Sequence, residues 1–451
     1  MSLRNVKQAV RTGVYKVPGV GPSLLEAYRE AVLFKRWASA RLRSLKADNL
    51  PDPEKVYWLD PARIVLHTNY EGRGSDRPAK DRVFHMQRDK GTVVGGSWDL
   101  SSFAFDDLDI VRALRQRIDG GVQWAETEFY QRLRQEIRDK EVDSWGIRTE
   151  QDLDARCAYL DCLVDSIRQQ GFRLSHEVAL EQETKGLNGH PVFGSEITVN
   201  IGRDGQYLFQ DGRHRLAIAK MLGVKQVPVK VLVRHKQWVE FRQFMWALAQ
   251  GGAASSRSRE LYQNPIHPDL QDIPSAHACE DRLDALTRHA GTGTGSVLDI
   301  GANLGFFCHG FEKLGYTCFA VELLPQCARA ADKIRIAEGR QFTVIAKDLF
   351  TACSMEPLRD RNFDVVLALN IFHHFLKQSD TFGQFSAWLE RLRVDTMFFE
   401  PHCSDEPQMA GSFVNFDEQA FVAFILEKSV LNHAELIHRC SDGRPIYRLW
   451  R

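Results

Sequence analysis

The sequence predicts an α/β protein with more than one domain. Its 451 residues exceed the length that one hydrophobic core usually serves. From residue 264 to 451, strand-like segments alternate with helical segments, the order typical of a mostly parallel sheet covered on both faces. Residues 51–248 combine helical periodicity with a β-hairpin pattern, which indicates an α+β domain. Residues 1–50 are predicted to be helical, and residues 249–263, rich in Gly and Ser, are predicted to be a linker.

The overall composition is that of an ordinary globular protein. Hydrophobic residues make up 43% of the chain and charged residues 26%. The 59 Lys and Arg residues balance the 59 Asp and Glu residues, so no global charge excess indicates a polyanionic partner. A nucleic-acid partner is therefore the least favoured interpretation.

The charge is uneven at the N-terminus. Residues 1–50 contain ten Lys and Arg residues but only three Asp and Glu residues. Their helical spacing predicts either a solvated helix packed on a neighbour or a basic amphipathic helix resting on anionic lipid. No run in the chain approaches roughly 18 consecutive apolar residues, and the N-terminus lacks a signal-peptide core. We therefore expect a cytoplasmic protein, with peripheral contact to the inner face of the membrane as an open alternative.

Nine cysteines are scattered along the chain without a C-x-x-C pair. Several lie in apolar runs, such as the one that ends at Cys308. This pattern predicts reduced, mostly buried thiols, and it predicts neither a disulfide framework nor a metal site.

The segment Val297–Gly305 carries the first chemical motif. Its sequence, VLDIGANLG, is typical of a strand that enters a glycine turn and then a helix. Glycines at 301 and 305 allow backbone amides at the helix N-terminus to approach a ligand closely. Alone, such a turn fits NAD, FAD or S-adenosylmethionine. The spacing from Asp299 is D-x-G-x-x-x-G, however, and Asn303 stands where the dinucleotide pattern has its middle glycine.

Polar residues follow the next predicted strands in order. Glu322 ends the second strand, where a carboxylate can accept hydrogen bonds from both ribose hydroxyls. Asp348, before Leu349, follows the third strand and is placed to receive the adenine amino group. Asn370 ends the fourth strand, at the edge where open α/β sheets bind ligands. This series resembles class I methyltransferases. The resemblance implies a Rossmann-like, mostly parallel seven-stranded sheet with S-adenosylmethionine as cofactor; a Rossmann domain that has lost its ligand is the alternative. The predicted cofactor-binding residues are Asp299, Gly301, Asn303, Gly305, Glu322, Asp348, Leu349 and Asn370.

The acceptor side of the predicted cleft contains candidate bases. His373 and His374 follow the fourth strand, and Glu400 and His402 follow the fifth. Because the sulfonium of the cofactor is already activated, catalysis needs mainly positioning, and only an alcohol or amine acceptor also needs a base. One of the two adjacent histidines is expected to face the substrate, and the alternative is that both only hydrogen-bond the turn.

Three short segments sharpen the prediction of the acceptor. Leu369–Phe375, the strand that ends in Glu400, and Gly443–Tyr447 resemble the methyltransferase half of bifunctional kinase–methyltransferases that cap bacterial O-antigen chains. The resemblance implies a glycan or lipid-linked glycan acceptor, or a phosphate just added to it. A phosphate is already anionic and would need no general base. A small-molecule acceptor remains the alternative.

The middle domain contains a second motif, at the end of a predicted strand. Gly212 is followed by a helix that begins with Arg213, His214 and Arg215, and helix-terminal amides with such a cluster can cradle phosphate. The motif resembles the ParB/sulfiredoxin fold. Position 213 is not the reactive cysteine of sulfiredoxins, and the segment lacks the Glu of partition proteins, so it is closer to ParB-like kinases. That resemblance implies that the cluster holds the phosphates of ATP or CTP with Mg²⁺.

Two carboxylates accompany this motif. Glu196 and Asp211 are the candidates for metal binding or for activation of an acceptor hydroxyl. The alternative is that Asp211 caps the helix and that the basic cluster faces solvent or another domain.

Three functions for the whole chain follow. The first is an enzyme with two activities, in which a ParB-like kinase domain and a methyltransferase act on the same glycan. The second is a methyltransferase for a natural product or sugar with a non-catalytic ParB-like domain. The third is a nucleic-acid-binding modifier, which the balanced charge disfavours.

Overall fold

The computed structural model describes residues 49–68, 84–86, 88–101, 103–139, 147–174, 196–251, 259–291 and 293–451. The basic helical segment predicted over 1–50 therefore lies almost entirely outside the described residues. The chain divides into two compact units, of which the first ends at Glu240 and the second begins at Phe241. Helices and strands are numbered below in chain order.

The first unit contains a mixed sheet of six strands in its described part. They are β1 (Val56–Leu59), β2 (Leu66–His67), β3 (Thr92–Val94), β4 (Ile197–Ile201), β5 (Tyr207–Asp211) and β6 (Val227–His235). Their order is β1-β6-β4-β5-β2, and β3 pairs with β6. β4 and β5 are antiparallel, with Ile201 opposite Tyr207, which confirms the predicted hairpin. The largely apolar run from Arg63 to Leu66, whose composition is typical of a strand, is mostly not one, because Pro61–Arg63 forms a 3₁₀ turn capped by Asp60 and β2 begins only at Leu66.

Four helices belong to the described part of this unit. They are α1 (Asp109–Gly120), α2 (Glu128–Arg138), α3 (Glu150–Gln170) and α4 (Arg213–Met221). α3 begins at a capping box: the Thr149 hydroxyl accepts from the Asp152 amide, and the Asp152 carboxylate accepts from the Thr149 amide. α4 carries the chain from β5 to β6, which runs parallel to β4. These four helices confirm the helical periodicity that the sequence shows within residues 51–248.

The second unit contains a seven-stranded sheet. Its strands are β9 (Ser296–Ile300), β10 (Thr317–Val321), β11 (Thr343–Ile345), β12 (Phe363–Leu369), β13 (Val394–Glu400), β14 (His433–Arg439) and β15 (Pro445–Trp450). Their order is β11-β10-β9-β12-β13-β15-β14. The first five strands are parallel, whereas β15 is antiparallel to both of its neighbours. The mostly parallel seven-stranded sheet is thus confirmed.

Helices and one small sheet complete this unit. The helices are α5 (Lys236–Gln250, which spans the division), α6 (Glu280–Ala290), α7 (Phe306–Lys313), α8 (Pro325–Ala337), α9 (Leu349–Cys353), α10 (Ser379–Arg391) and α11 (Glu418–Lys428). Two short parallel strands, β7 (Leu261–Gln263) and β8 (Ser275–His277), form the small sheet. β7 thus lies within the segment that the sequence assigns to a linker.

Apolar side chains cover both faces of the large sheet. Leu298 and Phe399 belong to one hydrophobic cluster, whereas their chain neighbours Val297 and Phe398 belong to another. Because successive residues of a strand point to opposite faces, this partition explains why the central strands are almost continuously apolar. In the part of the chain that the structure describes, no helix is both long and apolar enough to cross a membrane.

Candidate cofactor and acceptor site

A cavity of about 590 Å³ lies at the C-terminal edge of the parallel strands of the second unit. The chain passes from β9 to β10 and β11 on one side and returns to β12 on the other, so the strand order reverses between β9 and β12. Open α/β sheets bind ligands at this reversal. The residues in its wall that bear on the chemistry are Tyr262, His277, Gly301, Asn303, Glu322, Asp348, Leu349, Asn370, His373, His374, Gln408 and Arg444.

The glycine turn forms the floor of the cavity. Gly301 has φ +72° and its amide donates to the carbonyl of Val321 at 2.9 Å. A Cβ at Gly301 would lie 2.7 Å from Cδ1 of Ile371, so both the backbone angle and the packing require glycine. Asn303 adopts φ +51°, a region that asparagine tolerates better than most residues, and Gly305 directly precedes α7. The three residues that the sequence singled out therefore build one tight turn.

Glu322 connects this turn to the end of β10. Its carboxylate accepts hydrogen bonds from the Asn303 amide and the Leu324 amide, both at 2.8 Å. Burial raises the pKa of Glu322, and these amides oppose the shift. Two oxygens offer about four acceptor sites, so two remain for hydroxyl donors of a ligand. The predicted contact with ribose hydroxyls stays a prediction that fits this position.

Asp299 lies in a second cavity of about 30 Å³, which shares Gly301, Asn370 and Tyr262 with the large one. The side chain is 3% exposed, and the Cys308 thiol donates to Oδ2 at 3.5 Å. Burial raises the pKa of Asp299 to about 7, against the effect of the thiol and with a smaller contribution from Glu322. A carboxyl group with this pKa can exchange its proton for a bound cationic group near neutral pH.

Asp348 and Leu349 lie at the start of α9 in the wall of the large cavity. Asp348 caps this helix, because its Oδ1 accepts from the Thr351 amide at 2.9 Å. Burial would raise the pKa of Asp348, but the hydrogen bonds from Thr351 and Phe350 outweigh burial and lower it. The carboxylate is thus ionised, and its role toward adenine stays a prediction.

Asn370 directly follows β12 and has φ +50°. Its amide nitrogen donates to the Tyr262 hydroxyl at 3.0 Å, whereas its Oδ1 is shielded from solvent and has no hydrogen-bond partner in the described part of the chain. Buried acceptors are rarely left unpaired, so this oxygen fits a donor group of a ligand.

His373 and His374 lie in the 3₁₀ turn Phe372–Leu376, and both line the cavity, although the sequence predicted that one would do so. Burial, together with the neighbouring His374, lowers the pKa of His373 to about 3; burial and Lys377 lower the pKa of His374. Both rings are therefore uncharged at neutral pH. A base with a pKa near 3 retains an abstracted proton poorly, so this geometry favours an acceptor that needs no deprotonation.

Glu400 is held in a buried ion pair at the end of β13. Its carboxylate accepts from Arg282 Nε at 3.0 Å and from Nη2 at 3.4 Å. Burial raises the pKa of Glu400, while Arg282 opposes that shift. Glu400 lines the small cavity, and its carboxylate is engaged there by the ion pair with Arg282. Its catalytic role stays a prediction. The His402 ring lies near that of His373, with centroids 5.8 Å apart and the ring planes tilted by 50°, and its Nε2 lies 3.0 Å from Asn415 Oδ1.

Four wall residues were not predicted as site residues. Tyr262 and His277 come from β7 and β8, Gln408 from a short turn, and Arg444 from the β14–β15 connection. Arg444 donates from Nη2 to Glu406 at 2.9 Å, while its Nη1 is shielded from solvent and has no hydrogen-bond partner among the described residues. The segment Gly443–Tyr447, noted for its resemblance, contained the only sequence signal for this arginine.

The motif of the first unit forms a compact basic cluster. Gly212 has φ +93°, and a Cβ there would lie 3.1 Å from Cα of Ile197, so glycine is required where β5 meets α4. Arg213 begins α4, and His214 Nδ1 lies 3.5 Å from Nη2 of Arg156. The Arg156 contact was not predicted.

Burial and three surrounding guanidinium groups set the charge state of this cluster. Burial first, then Arg156, Arg213 and Arg215, lower the pKa of His214 well below its usual value. Arg215 Nη1 lies 4.0 Å from the buried Glu196 Oε2. Asp211 accepts from the Gly212 amide at 2.8 Å, but Gly212 is the N-cap of α4 and no side-chain hydrogen bond caps this helix, so the alternative in which Asp211 caps it is wrong. The phosphate-binding and catalytic roles stay predictions.

The fold and cleft of the second unit define a Rossmann-like α/β domain with a ligand site at the strand reversal. Residues 271–410 match a family model described as a methyltransferase domain. The second unit therefore contains a methyltransferase domain, as the sequence predicted.

Solved structures resemble part of the chain. The bifunctional kinase–methyltransferase WbdD matches at 20% identity over 45% of each chain, with a TM-score of 0.37. The 16S rRNA N2 G1207 methyltransferase RsmC of T. thermophilus matches at 18% identity over 38% of this chain and 41% of its own, with a TM-score of 0.29. Each of these two matches thus covers less than half of this chain and less than half of the matched chain. No curated protein matches the chain.

Proposed function

We propose that the second unit transfers a methyl group from S-adenosylmethionine to an anionic acceptor, and that this acceptor is a phosphate carried by a glycan. The observation that carries the proposal is Nη1 of Arg444 in the wall of the cavity, which has no hydrogen-bond partner among the described residues and lies 3.9 Å from Glu400 Oε1. A fixed guanidinium donor recognises phosphate well, because its planar fork matches phosphate oxygens.

The chain's own residues fit the cofactor at the other end of the cavity. Gly301 carries no side chain on the cavity wall, Glu322 presents a fixed carboxylate, and Asn370 Oδ1 has no hydrogen-bond partner within the described ranges. When bound, S-adenosylmethionine supplies a methyl carbon that its sulfonium already activates. Glu322 would hold the ribose hydroxyls, and Asp299 would receive the amino group of the methionine tail.

The electrostatics of the acceptor end support an anion over an alcohol. His373 and His374 line this end, and the pKa of each is lowered by burial, so neither is a strong base. An alcohol needs a base that accepts its proton, whereas a phosphate oxygen is already negative. The buried, uncharged His373 ring would thus help to orient an acceptor that the Arg444 guanidinium binds.

Replacing Arg444 by Met tests the proposal. We expect the KM for a phosphorylated sugar to rise about 10- to 100-fold, because one charge-assisted contact is lost, while the Kd for S-adenosylmethionine stays unchanged. Arg439→Met, at an exposed arginine of β14, is the matched control and should leave both constants unchanged. The measurement is transfer of labelled methyl to a sugar phosphate and to the same sugar without phosphate. Equal methylation of the two sugars by the natural chain would refute an anionic acceptor.

For the first unit we propose nucleotide binding, supported by the cluster of Arg156, Arg213 and Arg215 around an uncharged His214. Three guanidinium groups in one place favour a polyphosphate. The resemblance to ParB-like kinases extends this to phosphoryl transfer onto the glycan that the second unit then methylates. Peripheral membrane contact through the N-terminal residues belongs to the same proposal, because a lipid-linked glycan would lie there.

Calorimetry with ATP and CTP in the presence of Mg²⁺ tests the first unit. Arg215→Met should weaken binding about 10- to 100-fold, whereas Arg112→Met, an exposed arginine paired with Glu128, should not change it. Consumption of the nucleotide only when glycan is present would support the kinase. The absence of heat with both nucleotides would leave the methyltransferase with a non-catalytic partner domain.

A further inference from the structure

Three potential metal ligands converge on the second unit away from the cavity lining. They are Asp281 in the first turn of α6, His438 in β14, and Cys440 just beyond that strand. One ligand atom of each lies within 4.8 Å of the other two. The sequence predicted no metal site, because Asp281 and His438 are 157 residues apart along the chain and the cysteines form no C-x-x-C pair.

Secondary structure explains this convergence. Alternate residues of an extended segment point to the same side, so His438 and Cys440 share a face. α6 packs against β14, and its first turn brings Asp281 to that face. His438 Nε2 and Asp281 Oδ2 are then 3.7 Å apart.

The distances and pairing leave room for an ion. The 3.7 Å between the His438 and Asp281 atoms is too long for a hydrogen bond, but it is close to the separation of two ligands on one tetrahedral zinc ion, whose bonds are about 2.0–2.3 Å long. His438 Nε2 is shielded from solvent and has no hydrogen-bond partner in the described part of the chain. An ion between these atoms would satisfy it.

We propose that Asp281, His438 and Cys440 form a zinc site. A thiolate, an imidazole and a carboxylate match the ligand preference of zinc and not that of magnesium or calcium. The side chains of Asp281 and His438 are 34% and 25% exposed, so water can complete the tetrahedron. The role of the ion is structural: it ties α6 to the β14–β15 hairpin.

This site also acts on the acceptor end of the methyltransferase cleft. Arg282 follows Asp281 in α6 and forms the buried ion pair with Glu400. Its Nη2 also donates to Asp442 at 2.9 Å, in the turn that presents Arg444. Zinc therefore positions both ends of this ion-pair network, and Asp281, His438 and Cys440 are positioning residues.

Cobalt binding to the metal-free full chain tests the proposal. One equivalent of Co²⁺ should give the thiolate charge-transfer absorption and the visible bands of a tetrahedral site, and Zn²⁺ should displace it. Cys440→Ser should abolish the charge-transfer band. His438→Gln should weaken Zn²⁺ binding about 100-fold or more, since removal of even an outer contact of a zinc ligand costs about 10- to 100-fold.

Matched controls separate this site from adventitious binding. Cys403→Ser removes an exposed cysteine, and His433→Gln removes an exposed histidine of the same strand; both should keep the spectrum. Zn²⁺ should raise the Tm of the natural chain and of these controls, but not that of His438→Gln. This comparison of Tm values tests the zinc site even if Cys440→Ser folds poorly. A natural chain without the charge-transfer band, or a band that survives Cys440→Ser, would overturn the proposal.

Discussion

Replacing Asp299 by Asn is expected to stabilise the second unit at pH 8 by about 2–4 kcal/mol. Burial raises the pKa of Asp299 to about 7, whereas an unfolded Asp titrates near its ordinary value of about 3.9. The folded chain thus keeps a proton that the unfolded chain has lost, so this group lowers the free energy of unfolding progressively as pH rises from about 4 to about 7. Asn does not ionise and escapes that loss.

The same substitution should weaken ligand binding. The ammonium of S-adenosylmethionine competes with the proton on Asp299, so affinity of the natural chain should increase as pH rises from about 5.5 to 7.5. In Asp299→Asn we expect about 100-fold weaker binding at pH 7.5 and little dependence on pH over this range. Calorimetry at both pH values measures the affinity.

Thermal unfolding of the natural chain and of Asp299→Asn at pH 4 and pH 8 measures the stability. Comparing the gain in stability at the two pH values cancels effects of the substitution that do not depend on ionisation. Asp380→Asn, at an exposed carboxylate of α10, is the control and should change neither quantity. A gain in stability that is equal at both pH values would contradict a raised pKa for Asp299.

Glu322→Gln should reduce the affinity for S-adenosylmethionine about 100-fold. The carboxylate accepts from the amides of Asn303 and Leu324 through different oxygens, so Gln would turn an N–H group toward one of these donors. The substitution both loosens the glycine turn and removes the charge-assisted acceptor for ribose hydroxyls. Calorimetry with the cofactor and with its demethylated product measures the change.

Glu427→Gln provides the matched comparison for this experiment, because its side chain is 73% exposed on α11. It should bind the cofactor like the natural chain. Unchanged affinity in Glu322→Gln would remove the basis for a cofactor at this end of the cavity. Loss of binding together with a large fall in Tm would assign Glu322 to the fold of the turn, and Glu322→Asp, which keeps the charge, would then be expected to bind more tightly than Gln.

The sequence predicted the parallel part of the large sheet because its strands are buried on both faces. β9 and β12 are mostly apolar runs that are followed directly by Gly301 and Asn370, and such endings are visible in the sequence. β14 was not predicted, since its residues are mostly exposed and polar and lack clear alternation. α6 and α11 were also missed.

The cofactor end of the site was more predictable than the acceptor end. Asp299, Gly301 and Glu322 lie at strand ends, where topology alone places them together. Tyr262 and Arg444 line the same cleft although they are 182 residues apart along the chain, and no local pattern predicts this proximity. The low pKa of His373 arises first from burial in the folded unit, with smaller contributions from His374 beside it and from the distant His402, so the sequence around His373 predicts only part of it.

β14 is one of the two edge strands of the large sheet, and an edge strand offers unpaired backbone groups to a strand from another molecule. Its pairing with β15 shifts between Leu436 and His438, a bulge that twists the ladder locally. Glu435 and Arg439 place charges on either side of that irregularity. The chain should consequently resist aggregation through this border, and a deletion of Ile437 that straightens the strand would make it prone to fibrils.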